Sequence, residues 1–361
     1  MKDNMIDGRI RIKNNIIWYD IWRGHEFNRL YSINAHEHYL EDFLNDLKVV
    51  NITIDELKQY LLIVHTNWEG HNAQDIEPFR TMLWNLNFPM TQFGALFTCF
   101  EDTSKLPYPA QCVTERVIYI SNWYPQLKKQ NIQWQSLKMD TKFVVLMRRA
   151  SESRCLLAKK LLDRFVIDDM TITLGTFPDT VPQTWKDIVK PYQYPLIVDE
   201  DNVEDLKHNP VHQLFYTAPV QLVVESSHET DINSWRSIFI TEKSYKVFAW
   251  HQFPLWYAIP GTVGKLRDAG FDLFEDIIDH SYDNIHDPVR RMDLVVEQLQ
   301  KLCKHDTAKL LRIYHFDRLE YNAQLVEKIT KTAYKKHKIN TEHLQNELLQ
   351  FYKSDRSTPA L

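Results

Sequence analysis

The segment Thr241-Glu-Lys243 combines side chains that suit an anionic ligand. Thr241 is a residue type that caps helices, and Glu242 and Lys243 would lie in the first turn of the helix that follows. The first N–H groups of a helix attract phosphate, whereas a cation there is unfavourable unless an anion is present. We therefore expect Lys243 to neutralise charge on a diphosphate, with an ordinary surface lysine as the alternative.

Three more side chains belong to the same prediction. Glu242 could accept a hydrogen bond from a ribose or sugar hydroxyl, or could only stabilise the first turn of its helix. Glu225 ends a predicted strand, Val220–Glu225, and could bind a similar hydroxyl or cap local backbone. Lys246 follows three residues after Lys243 and is predicted to contact the same ligand.

Arginines supply a second group of phosphate ligands. Arg148, Arg149 and Arg154 follow the predicted strand Phe143–Met147, and a helix is predicted after them. A guanidinium group can bind phosphate through two parallel hydrogen bonds, and a strand followed by a charged turn and a helix is typical of an anion site. We expect at least one of the three to reach the diphosphate, although they could form a solvated turn.

The elements that position these groups alternate along the chain. Apolar runs predict buried strands at Ile16–Trp22, Tyr60–His65, Ala95–Phe100 and Arg116–Ile120 in the first part of the sequence. Helical spacing of apolar residues between the strands, at 38–47 and 76–86, predicts an α/β fold with doubly wound sheets. From Pro288 onward the pattern is almost all helical, and the proline-containing residues 178–218 are predicted to be irregular.

Length and composition favour two domains. The chain has 361 residues, of which 44% are hydrophobic, and this exceeds the size at which one core usually keeps growing. We place a first Rossmann-like domain at 1–140, a second at 141–322, and a helical tail at 323–361 that packs back on the first. With only eight glycines, the sequence has neither a glycine-rich dinucleotide fingerprint nor a P-loop.

Charge and cysteine patterns exclude several classes. The net charge of −5 gives no bulk attraction to nucleic acid, and the four cysteines form no C-x-x-C pair. Asp199-Glu-Asp201 imitates a metal-binding D-x-D motif but is interpreted as an acidic loop, so we expect no metal and no cofactor. No apolar run approaches the ~20 residues that span a bilayer, which predicts a cytoplasmic protein without a membrane span.

Several segments together resemble a known family, the fucosyltransferase-like glycosyltransferases, which include the alpha-1,3-fucosyltransferases and bacterial and phage members. The similar segments are Glu225-Ser-Ser, Phe239-Ile-Thr-Glu-Lys243, Pro260-Gly-Thr262, Leu266-Arg, Gly270-Phe, 278–288 and Arg290-Arg. The turn after Phe143–Met147 is similar to the arginine-bearing turn of the family. The glycine that the family has near Trp250-His-Gln-Phe-Pro254 is missing here, as is the asparagine usual near Glu225.

The resemblance implies a GT-B architecture, in which two Rossmann-like domains face each other across a cleft. It implies metal-independent transfer, by an inverting route, of a sugar from a GDP- or UDP-linked donor to a glycan or other hydroxyl acceptor. Glu242 and Lys243 match the family's nucleotide-sugar contacts, and Arg148 or Arg149 matches its phosphate-binding arginine. The first domain would then supply the general base that takes the acceptor proton.

Carboxylates after first-domain strands are the candidates for that base. Glu69 is the first choice, and Glu101 or Asp102 is the second, although each could be an ordinary loop carboxylate. Two competing functions remain open. One is a non-catalytic module that binds a nucleotide or carbohydrate, and the other is a phage glycosyltransferase that acts on modified DNA bases, which the acidic total charge does not favour.

Overall fold

The computed structural model describes most of the chain. The described residues are 5–6, 9–21, 35–66, 73–97, 103–112, 127–128, 131–147, 151–174, 182–189, 218–225, 238, 240–304 and 307–356. They divide into two compact units. Unit 1 comprises Met1–Glu115, Arg236–Phe239 and Tyr334–Leu361, and unit 2 comprises Arg116–Trp235 and Ile240–Ala333. Both are α/β structures with parallel strands, compatible with Rossmann-like folds.

Unit 1 contains a six-stranded sheet whose strands follow chain order. The strands are β1 Met5–Ile6, β2 Ile10–Lys13, β3 Ile16–Asp20, β4 Leu61–Thr66, β5 Phe93–Phe97 and β6 Ala110–Cys112. The first three are antiparallel, and β3 to β6 are parallel. The helices that precede β4 and β5 are α1 Ala35–Val49, α2 Ile54–Leu57 and α3 Ala73–Asn85, with short 3-10 turns at Met90–Gln92 and Thr103–Lys105.

The sheet of unit 1 is covered on its two faces by different parts of the chain. Side chains alternate along β4, so that Leu62 and Val64 join one core with α1 and α3. Leu61 and Ile63 point the other way and pack with residues near the end of the chain. Crossovers that always step in one direction place their helices on one face. The described strands of unit 1 follow chain order without reversal, unlike the doubly wound sheet predicted for it.

Unit 2 contains a four-stranded parallel sheet in the order β10-β9-β7-β8. The strands are β7 Phe143–Met147, β8 Met170–Leu174, β9 Val220–Val224 and β10 Phe253–Tyr257. The helices are α4 Glu152–Arg164, α5 Gln183–Val189, α6 Glu242–Ala249, α7 Thr262–Asp268, α8 Pro288–Leu302 and α9 Thr307–Tyr314, with 3-10 turns at Trp134–Ser136, Ile167–Asp169 and Ser281–Asn284. The chain steps one way from β7 to β8 and the other way from β9 to β10, which is the doubly wound order.

A long helix, α10 Phe316–Arg356, ends the described chain. Its first part buries Leu319 and Val326 within unit 2. Its later part belongs to unit 1, where Asn340 donates a hydrogen bond to the Cys112 carbonyl at 2.9 Å, and Leu344 and Leu348 pack on the sheet. The predicted helical pattern after Pro288 is confirmed for the described residues. Among the described helices, none is long and apolar enough to cross a membrane.

One further sequence prediction differs from the structure, and two fall outside the described residues. Part of the segment predicted to be irregular, 178–218, forms the helix α5 Gln183–Val189. The predicted strand at Arg116–Ile120 and the acidic segment Asp199–Asp201 lie outside the described residues. Strand predictions elsewhere agree to within a few residues, because buried strands are marked by apolar runs whose ends are poorly defined.

Candidate anion site of unit 2

The reversal of strand order in unit 2 lies between β7 and β9, which are neighbours in the sheet. The connection that leaves β7 and the connection that leaves β9 run toward opposite edges of the sheet. In open α/β sheets, ligands bind outside the carboxyl ends of the strands at such a reversal. The carboxyl end of β9 is Val224, followed by Glu225, and the carboxyl end of β7 is Met147.

Thr241 caps helix α6 and is held in place by Glu225. Its hydroxyl accepts a hydrogen bond from the Lys243 backbone N–H at 3.2 Å, as the sequence predicted for a cap residue. The Glu225 carboxylate is fully buried and accepts from both the backbone N–H of Thr241, at 3.1 Å, and its hydroxyl, at 2.6 Å. Both carboxylate oxygens thus bind the start of the helix, which makes Glu225 a positioning residue in this structure.

Ser244 and Trp256 extend this network and were not among the site residues predicted from the sequence. The Ser244 hydroxyl donates to Glu225 Oε1 at 2.5 Å and accepts from the Trp256 indole N–H at 3.0 Å. Both side chains are buried, with Trp256 on the adjacent strand β10. The signal in the sequence was the position of Ser244, three residues after the cap and therefore near it on the helix surface. The network fixes the start of α6 against the carboxyl end of β9.

Lys243 lies at the reversal point. Its ammonium group donates to the carbonyl of Val224, the last residue of β9, at 3.4 Å, and the side chain is half-buried. Burial lowers the pKa of Lys243, and the nearby charge of Arg154 lowers it further, while Glu225 and Glu242 act in the opposite direction. Two cations whose charges interact favour binding of an anion, because its charge would stabilise both of them.

Arg154 lies near the start of α4, the helix that follows β7. Ser151 caps this helix by accepting a hydrogen bond from the Arg154 backbone N–H at 3.4 Å. The Arg154 side chain is buried, and its charge is close enough to Lys243 to affect the pKa of that residue. Arg154 thus lies within electrostatic range of Lys243, whereas Arg148 and Arg149 lie outside the described residues.

Glu242 and Lys246, the other two predicted site residues of α6, are half-buried and close enough for their charges to interact. Burial lowers the pKa of the Lys246 ammonium group, and the charge of Glu242 opposes this change. Glu242 also acts on the pKa of Lys243. One carboxylate thus lies near two ammonium groups, an arrangement in which a hydroxyl of a bound ligand could find both an acceptor and donors.

The segment from Pro260 to Arg291 lies in a different part of unit 2, where several of its residues form hydrogen bonds with one another. Gly261 adopts a left-handed conformation with φ of 87° before helix α7, and its N–H donates to the Asp283 carbonyl at 3.1 Å. The Asp283 carboxylate accepts from the Gly264 N–H at 3.2 Å. Arg291 is buried and donates to the Ile285 carbonyl at 2.5 Å. These contacts hold the chain that follows β10, so the described geometry gives these residues a structural role.

A surface depression of about 350 Å³ borders the same segment. It is shallow and polar, and the ion pair between Arg267 and Glu275 lies in its wall. None of the predicted site residues lines it. The candidate site therefore rests on strand topology and charge rather than on this depression.

Metal binding and thiol chemistry are the alternatives to an anion site. The described part of the chain contains no group of three or more histidine, cysteine, aspartate or glutamate side chains placed to hold a metal ion. Burial raises the pKa of the Cys155 and Cys303 thiols to about 12, which removes both as nucleophiles near neutral pH. The predicted base candidates Glu69, Glu101 and Asp102 lie outside the described residues.

Comparison of the chain with models of known protein families, with curated proteins and with solved structures finds no match.

Proposed function

We propose that this protein is a metal-independent glycosyltransferase of GT-B architecture that moves a sugar from a nucleotide diphosphate sugar to a hydroxyl acceptor. The observation that supports this most strongly is the position of Lys243, whose ammonium group lies 3.4 Å from the last carbonyl of β9, where the strand order reverses. A diphosphate is the natural ligand for two neighbouring cations at such a point.

Each site residue has a role in this proposal. Lys243 and Arg154 bind the diphosphate, and they stabilise the negative charge that develops on it as the bond to the sugar breaks. Arg148 or Arg149 adds a further phosphate contact. Glu242 accepts from a ribose or sugar hydroxyl, with Lys246 beside it.

The buried hydrogen bonds of Glu225 and Thr241 hold these ligand-binding groups in fixed positions. Glu225 and Thr241 fix the start of α6, so that the first-turn N–H groups and the Lys243 side chain keep a constant direction. A preorganised cation costs no reorganisation when charge develops, which is why rigid support improves catalysis. The proposal thus separates residues that bind the donor from residues that position them.

Calorimetric titration of the protein with UDP-, GDP- and CMP-sugars tests the proposal. We expect one class of nucleotide sugar to bind, and Lys243→Ala to weaken binding at least about tenfold through loss of a charged contact. Lys301→Ala, an exposed lysine on α8, is the matched control and should bind like the parent. Absence of binding by every sugar nucleotide, or equal binding by Lys243→Ala and the parent, would falsify the proposal. Binding without turnover would leave a non-catalytic binding module.

A further inference from the structure

Two histidines of unit 1 have buried ring nitrogens without hydrogen-bond partners. His65 lies in β4 and is 5% exposed, and His337 lies on the part of α10 that belongs to unit 1. His65 Nε2 and His337 Nδ1 are both buried, and neither has a hydrogen-bond partner among the described residues. Buried polar atoms of folded proteins nearly always have a partner. Two such atoms on neighbouring rings point to a ligand that both of them share.

The two rings are too far apart to bind each other directly. Their centres are 6.1 Å apart, with an angle of 40° between the ring planes. A direct hydrogen bond of about 2.9 Å between two ring nitrogens would bring the centres to within roughly 5.2 Å of each other. Zn–N bonds of about 2.0–2.1 Å allow the centres of two ligating rings to lie up to roughly 6.4 Å apart. The separation of the rings therefore fits a metal ion between them.

Asp20 of the adjacent strand β3 supports His65 in a way that suits a metal ligand. The imidazole Nδ1 lies 2.9 Å from Asp20 Oδ1, and Asp20 is buried. A carboxylate accepts, so Nδ1–H donates and Nε2 keeps the lone pair that a metal ion needs. Histidines that bind metal ions almost always donate their other N–H to a carboxylate, a carbonyl or water, which fixes the tautomer and the direction of the ring.

Two further polar groups belong to the same region of unit 1. Arg11 of β2 has a guanidinium nitrogen 3.8 Å from Asp20 Oδ1. Its positive charge opposes a cation, and the negative charge of Asp20 offsets it. Thr341 follows His337 by one helical turn, on the same face of α10, and its buried hydroxyl also has no partner among the described residues. A hydroxyl in this position suits a water molecule bound to the ion.

We propose that unit 1 binds one divalent transition-metal ion, for which Zn²⁺ is the probe, through His65 Nε2 and His337 Nδ1. Imidazole nitrogens suit zinc, copper, iron and nickel. The ion joins β4 to α10 and holds the end of this helix on the sheet, while water completes its coordination. This site differs from the expectation of no metal. It is structural and takes no part in sugar transfer, so the inference is independent of the proposed function.

Calorimetric titration of the chelator-treated protein with Zn²⁺ tests the inference. We expect one ion to bind per chain, and His337→Gln to weaken binding at least about 100-fold, because a ligand is lost. His286→Gln, which changes an exposed histidine of unit 2, is the matched control and should bind like the parent. Asp20→Asn keeps both ligands but removes the supporting carboxylate, so it should weaken binding by about 10–100-fold.

Thermal unfolding with and without Zn²⁺ gives a second readout. An ion that binds the folded state raises the midpoint of unfolding, so the parent and His286→Gln should gain stability from Zn²⁺ and His337→Gln should not. A parent protein that binds no Zn²⁺ overturns the inference, as does parental affinity in His337→Gln, and a shared water would then be the partner of the two nitrogens. Should His337→Gln fail to fold, parental affinity in Asp20→Asn overturns it. None of these outcomes affects the test of donor binding by unit 2.

Discussion

Two hydrogen bonds join Thr241 to Glu225: the backbone N–H and the hydroxyl of Thr241 donate to the Glu225 carboxylate, at 3.1 and 2.6 Å. Glu225 directly follows strand β9 and Thr241, sixteen positions later, caps helix α6, so the pair joins the end of a strand to the start of a helix at the candidate site. The geometry requires Glu225 to be an acceptor at both oxygens. A ligand hydroxyl would have to displace Thr241 or Ser244 to reach it.

Replacing Glu225 by glutamine should destabilise unit 2. The amide NH₂ group would face donors that now have a carboxylate oxygen, so at least one buried hydrogen bond is lost. We expect the free energy of unfolding to fall by about 1–3 kcal/mol. Urea denaturation measures this, with Glu297→Gln on the exposed face of α8 as control, expected within about 0.5 kcal/mol of the parent. A Glu225→Gln protein as stable as the control would contradict the positioning role.

The affinity for a nucleotide diphosphate should depend on pH through Lys243. Only the ammonium form attracts the anion, and burial lowers the pKa at which Lys243 loses its proton. Affinity should therefore fall as pH rises through a value below the ordinary lysine pKa of about 10.4. In Lys243→Arg the guanidinium stays charged, and the fall should move to higher pH. Titrations of both proteins with the same nucleotide at a series of pH values test this, and superimposable pH curves would rule it out.

The stability of unit 2 should decrease in acid because of His251 and Glu320. The His251 imidazole is buried and stacks with the rings of Trp134 and Phe316, with ring centres 4.8 and 5.5 Å away, and its Nε2 lies 2.7 Å from Glu320. Burial lowers the pKa of His251 from the unfolded value of 6.5, so the folded state binds fewer protons as pH falls below that value. The hydrogen bond from His251 lowers the pKa of Glu320 to about 2, so its contribution is present above 4.5 and is lost as pH falls toward 2.

Both pKa shifts make unit 2 less stable as pH falls, and the substitution His251→Asn tests the contribution of His251. His251 has φ of 55°, a left-handed conformation that asparagine tolerates. The variant should be less stable than the parent at neutral pH, yet lose less stability between about pH 7 and about pH 4. Denaturation at each pH gives the two curves. Parallel curves for variant and parent would show that His251 does not titrate in this way.

Leu348 should be more important to unit 1 than its neighbour Leu349. Leu348 is fully buried against the sheet with Leu344, and Leu349 is 37% exposed on the same helix. Leu348→Ala should cost about 2–5 kcal/mol through lost burial and the cavity left behind. Leu349→Ala should cost clearly less, and chemical denaturation compares the two. Equal losses would mean that the end of α10 does not cover this face of the sheet.

The features that the sequence predicted correctly depend on local patterns. Phe143–Met147 is an unbroken apolar run and forms a strand with those bounds, and Thr241 is a cap residue by type. Local chemistry determines such features because a buried strand or a helix start requires particular residues at consecutive positions.

Other features depend on residues that are distant in the sequence. Nothing near Asp20 indicates His65, forty-five positions away, and nothing near Glu225 indicates that its carboxylate is occupied by Thr241 and Ser244. The order of strands in each sheet is likewise absent from local patterns, because pairing is chosen by packing over the whole unit.

The sequence by itself determined the α/β alternation and the capped start of α6, since propensity and hydrophobic period are properties of short segments. The tertiary structure alone decided that Lys243 lies at the reversal of strand order, that Glu225 supports the helix, and that Asp20 orients His65. These relationships arise from strand pairing between remote segments, which brings together side chains whose chemistry depends on being within hydrogen-bonding distance.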